Sequence, residues 1–100
     1  MTSKITIPQD EIDAFCERNH IRKLSLFGSV LRDDFNPDSD LDLLVEFEPD
    51  HVPGFITFSK MRLELSEILG RPVDLQTPLS LSRYFRKDVE ERAEKIYSAN

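Results

Sequence analysis

The apolar residues of this chain change spacing along its length, from helical to alternating and back, and that succession confines it to a sheet packed with helices. In residues 40–47, Leu41, Leu43 and Val45 fall on one face of an extended segment, with Asp40, Asp42 and Leu44 on the other. Residues 21–27 read as a second strand with Leu24 and Leu26 together, and residues 72–76 as a third, Val73 and Leu75 alternating with Asp74. Between them the spacing turns helical. Ile12, Phe15 and Cys16 form a stripe behind Pro8, which suits the first turn of a helix, and Asp10, Glu11 and Asp13 favour its positive end. This helix is expected to end near Asn19 and His20. A longer one spans residues 55–69 on Phe58, Met61, Leu65, Ile68 and Leu69, and Gly70 stops it.

Two further stretches complete the order. Gly28 ends the strand of residues 21–27, and Ser29 can cap a short helical turn of Val30, Leu31 and Arg32. Residues 36–39 are a turn and residues 48–54 a loop with two prolines. Residues 78–100 read as one or two helices, with Leu81, Tyr84, Phe85, Val89, Ile96 and Tyr97 as packing residues. The order α-β-α-β-α-β-α predicts a single small α/β (α+β) sheet of three or more strands, helices covering at least one face.

One hundred residues suffice for one domain, residues 1–100, with a modest core. A hydrophobic fraction of 39% beside 32% charged residues fits a folded, soluble chain. Nineteen acidic against thirteen basic residues give a net charge of -6, so nothing in the charge balance supports nucleic-acid binding, which draws on clustered Lys and Arg. Cys16 has no partner for an internal disulfide, and no apolar run approaches the roughly 18 residues of a membrane span. The first eight residues lack the apolar stretch of a signal peptide, and a cytoplasmic location is expected.

Against this frame Asp40 and Asp42 need explaining. On one strand face they stand roughly 6 to 7 Å apart along the chain. Like charges held that close repel unless a cation lies between them, and ligation by carboxylate oxygens suits a hard ion such as Mg²⁺. The plain alternative is an edge strand with solvated carboxylates. Gly28-Ser29 opens a helical turn, where glycine lets a ligand approach the backbone and free N–H groups attract phosphate. Alone it reads as a plain turn; together with the aspartates it gives both halves of a Mg²⁺–nucleotide site. Asp74 is the candidate third carboxylate, and a cap for the turn that follows is its competing role.

Gly28-Ser29, ten residues, then Asp40-Leu41-Asp42 resembles the Gly-Ser-x10-Asp-x-Asp signature of the DNA-polymerase-beta-like nucleotidyltransferase superfamily. The Leu26-Phe27-Gly28-Ser29 entry, the run from Ser39 to Val45 and the short length are similar to its minimal nucleotidyltransferase branch. The resemblance covers roughly residues 21–77. It implies a mixed sheet of the polymerase-beta-like fold and transfer of a nucleoside monophosphate from a nucleoside triphosphate to a hydroxyl. By the same resemblance Gly28 and Ser29 hold the triphosphate, Asp40 and Asp42 ligate Mg²⁺, and Asp74 completes a second Mg²⁺ site as the third catalytic carboxylate. It further implies ATP as substrate and a helical HEPN toxin as partner, with AMP passed to a toxin tyrosine by this chain as antitoxin. Many relatives carry glycine where this chain has Asp33, between Arg32 and Asp34.

Two other functions stay open on the sequence: a silent module that neutralises its partner by contact, and a nucleotidyltransferase acting on a small molecule of the antibiotic type. His20 and His51 have no metal-ligand spacing and are expected in solvated loops. Asp33, Asp34, Asp38 and Glu46 read as an acidic rim, with Arg32 paired among them.

Overall fold

The computed structural model describes residues 7–28, 40–81, 83–84 and 86–99. Helix α1, Gln9–Arg18, begins directly after Pro8 and carries Asp10 and Glu11 in its first turn. Its buried residues are Ile12, Phe15 and Cys16, the stripe expected from their spacing. Asn19 closes the helix, its side-chain amide donating to the Phe15 carbonyl at 2.8 Å. His20 then takes the left-handed conformation, φ 56°, and turns the chain into β1, Ile21–Phe27.

Strand β2, Leu41–Phe47, lies antiparallel to β1, and β3, Val73–Gln76, runs parallel to β2. Between them helix α2, Phe55–Leu69, supplies the crossover and ends on Gly70 at φ 74°. A short helix α3, Arg86–Arg92, leads to β4, Glu94–Ser98, which returns antiparallel to β1. The described residues thus form a mixed four-stranded sheet in the order β3-β2-β1-β4, an α+β arrangement as expected. The helix predicted over the last residues is a strand instead: α3 stops at Arg92 and residues 94–98 extend the sheet. Tyr84, expected to pack, is 86% exposed, with the Arg83 guanidinium over its ring.

The core occupies one face of the sheet. Leu24, Leu26, Leu41, Leu43, Val45, Val73 and Leu75 pack against Ile12, Phe15 and Cys16 of α1 and Met61 and Leu65 of α2. Hydrophobic burial there is worth roughly 1.5–3 kcal/mol per large side chain. Ser66 ties α2 to β3: its hydroxyl donates to the Arg62 carbonyl at 3.0 Å and accepts from the Val73 N–H at 3.1 Å. On the opposite face Ser25 and Leu44, register partners, are also buried, 1% and 2% exposed. There the 3₁₀ turn Pro78–Ser80 packs against β2.

The rings of His20 and His51, both exposed as expected, stack 3.9 Å apart where the loop before α2 meets the end of α1. Glu46 is no free rim residue, since Arg22 and Lys23 both pair with it. The proposed turns at 30–32 and 36–39, and the pairing of Arg32, lie outside the described residues.

Candidate active site

β2 is an interior strand, with β1 on one side and β3 on the other. That excludes the edge-strand explanation for Asp42, while Asp40, expected as the first residue of this strand, lies just outside it. Asp42 is the register partner of Phe27 in β1 and of Asp74 in β3. Since paired residues share a sheet face, Asp42 and Asp74 project side by side from strands about 4.8 Å apart, away from the helix-covered core. Asp40 stands one residue ahead of β2, exposed. The Leu41 N–H behind it donates to the Pro72 carbonyl at 2.9 Å, which fixes the entry to the strand.

Gly28 follows Phe27 at φ 79°, a conformation that residues with a Cβ adopt at a cost of roughly 1–2 kcal/mol. The space is closed as well. A methyl group on Gly28 would stand 3.0 Å from Asp42 Cγ and nearer still to its Oδ2. Glycine is therefore required twice over, by conformation and by contact, and the backbone of the turn lies against the carboxylate. Ser29 falls outside the described residues. Gly28, Asp42 and Asp74 are thus brought together by strand register, with Asp40 at their margin.

Asp74 has a partner that its place in the motif does not announce. Gln76 Nε2 donates to Asp74 Oδ1 at 2.9 Å, and Gln76 Oε1 accepts from the Ser80 hydroxyl at 2.8 Å. The period-2 alternation does place Gln76 on the face of Asp74, and that was the available signal. Ser80, beyond the strand, had none.

The donor set is oxygen only and acidic, which fits Mg²⁺. Among the described residues no group of three or more His, Cys, Asp or Glu side chains is placed to hold a metal ion, Asp40, Asp42 and Asp74 included. Mg²⁺ does not call for one: it takes one or two carboxylates and completes its shell with phosphate oxygens and water. A carboxylate pair beside a glycine turn supplies the one or two protein carboxylates that this requires.

A mixed sheet with Asp42 and Asp74 paired on adjacent strands and a glycine turn against Asp42 is the arrangement expected of a nucleotidyltransferase. Residues 11–96 match the model of the nucleotidyltransferase domain, and the chain belongs to that family. Within it the chain is similar to the protein adenylyltransferase MntA of Thermococcus cleftensis, 37% identical over 73% of this chain and 72% of that protein. The fold is also that of a toxin–antitoxin crystal structure with AMP-PNP, at a TM-score of 0.73 and 20% identity over 94% of this chain and 76% of that one. A tri-AMPylated Shewanella oneidensis HEPN toxin in complex with an MNT antitoxin gives 0.65 and 20% over 91% and 70%. No helix of the described residues is long and apolar enough to cross a membrane.

Proposed function

We propose that this chain is a Mg²⁺-dependent protein adenylyltransferase that passes AMP from ATP to a hydroxyl, a tyrosine, of a HEPN-type partner and so acts as its antitoxin. The observation that carries this reading is the position of Asp42: interior to the sheet, paired in register with Asp74, and covered by a glycine that admits no side chain. The similarity to an MntA named for this activity, and to the fold found in a complex with an AMPylated toxin, supports the acceptor class.

In this proposal Gly28 lets the triphosphate approach the backbone beside Asp42, and the Ser29 hydroxyl donates to a phosphate oxygen. Asp40, Asp42 and Asp74 would hold the cations, Asp74 helping to activate the acceptor. Bound there, Mg²⁺ supplies charge neutralisation on the phosphates and a lowered pKa for the attacking hydroxyl. The acceptor oxygen forms its bond to the α-phosphorus as the bond to the bridging oxygen of the β-phosphate breaks. Pyrophosphate leaves and the hydroxyl proton passes to solvent. The strand pairings that fix Asp42 and Asp74 pre-organise these groups, so little reorganisation accompanies the reaction.

The test is incubation of the chain with Mg²⁺, ATP labelled at the α-phosphate and the protein encoded by the adjacent reading frame. Label should appear on the partner and fall by at least about a hundredfold with Asp42→Asn, the scale typical of a lost transition-state electrostatic contact. Absence of label, with Asp42→Asn neutralising the partner as well as the parent does, would replace catalysis by binding alone.

A further inference from the structure

We infer that Gln76 is a positioning residue, whose side-chain amide fixes the Asp74 carboxylate for the cation–nucleotide complex; this rests on the assignment of Asp74 as a cation ligand above. Gln76 lies two residues beyond Asp74 on the same face of β3, so its side chain lies alongside the carboxylate. The bond from Nε2 to Oδ1, 2.9 Å, occupies one carboxylate oxygen. A carboxylate held this way presents a single oxygen to a cation in a set direction.

The orientation of the amide follows from chemistry. An ionised carboxylate only accepts, so the NH₂ group must face Asp74 and the carbonyl oxygen must face away. That oxygen meets the Ser80 hydroxyl at 2.8 Å. A flipped amide would set oxygen against oxygen at Asp74. Ser80 is itself placed by its turn, for its Oγ accepts from the Thr77 N–H at 3.1 Å and lies 2.7 Å from the Thr77 carbonyl. Its single proton serves either that carbonyl or Gln76 at one time. Pro78 opens the turn with φ preset, and Ser80 N–H closes it onto the Thr77 carbonyl at 3.0 Å. The chain of support therefore runs from a braced turn through Ser80 and Gln76 to Asp74.

An amide serves here where other residues would not. A glutamate at position 76 would bring a further negative charge beside Asp74 and Asp42, and an apolar residue would leave Oδ1 without its donor. Partners behind a ligating carboxylate typically change metal affinity by 10- to 100-fold when removed.

Calorimetric titration of the full chain with the Mn²⁺ complex of AMP-PNP tests this without turnover, alongside thermal melts of the ligand-free proteins. Gln76→Met keeps the length of the side chain and removes its hydrogen bonds. It should weaken binding 10- to 100-fold while the melting temperature stays near that of the parent. Ser80→Ala, on an exposed turn, should weaken binding by a few-fold, and Gln76→Met should add nothing in an Asp74→Asn background. If Asp74→Asn binds poorly while Gln76→Met and Ser80→Ala both bind within twofold of the parent, the positioning role is wrong and the ligand assignment stands. If Asp74→Asn binds like the parent, the assignment of Asp74 fails and the role of Gln76 with it.

Discussion

Gly28 and Gly70 share a left-handed backbone, φ 79° and 74°, yet they answer to different constraints. Nothing lies within 4 Å of where a Cβ on Gly70 would stand, so Gly70→Ala meets only the backbone penalty. It should cost about 1 kcal/mol in urea unfolding and leave nucleotide binding unchanged. Gly28→Ala adds a collision with the Asp42 carboxyl to the same penalty, and should abolish AMP-PNP binding as well as lower stability. Cys16 gives a prediction in pH. Burial, with the Asp13 and Glu17 charges assisting, raises its thiol from 9.0 to about 12. The unfolded chain releases this proton from about pH 9, whereas the folded chain retains it to about pH 12. Its contribution is therefore intact below pH 9 and lost across that window. Melts from pH 8 to 12 should fall more steeply for the parent than for Cys16→Ala. Tyr97, also raised by burial first, adds to the decline. At this scale strand alternation put Asp42 and Asp74 on the polar faces of their strands, whereas their closeness to each other and to Gly28 comes from strand pairing that the sequence does not show. Gln76 was missed because a neutral amide on a strand carries no signature of its own.

Among the elements, α1, α2 and the first three strands followed from spacing, and β4 did not. Its sequence puts Ile96 and Tyr97 side by side, which breaks the alternation that identifies a strand. The pairing with β1 explains this. Leu24 opposes Tyr97 and Ser25 opposes Lys95, which leaves Ile96 as the extra residue of a β-bulge. Both apolar side chains then pack against the core. A bulge depends on the partner strand, so the local pattern of residues 94–98 could not reveal it. The stacking of His20 on His51 was hidden for a similar reason, since two separate loops create it. Where α2 meets β3, Ser66 bridges helix and strand by two hydrogen bonds. Ser66→Ala leaves the part-buried Val73 N–H without that acceptor and should cost about 1–3 kcal/mol by denaturant unfolding.

At the scale of the whole molecule, β1 and β4, the first and last strands of the described residues, lie beside each other, so β1 gains its second neighbour only from residues 94–98. Removal of residues 94–100 would expose the edge of β1 and uncover Leu24 and Leu26 beside it. Such a truncation should lose cooperative melting and elute as aggregates on size exclusion. The sheet order was not legible in the sequence, since element order alone does not say which strands pair. The register of β2 has a last consequence. Side chains alternate, so a slip of one residue against either neighbour would swing Asp42 into the apolar interior and Leu41 or Leu43 out of it. The same pairing error would forfeit stability and reactivity together. Turnover thus doubles as a gauge of correct assembly: a misaligned copy of this chain could be neither long-lived nor active.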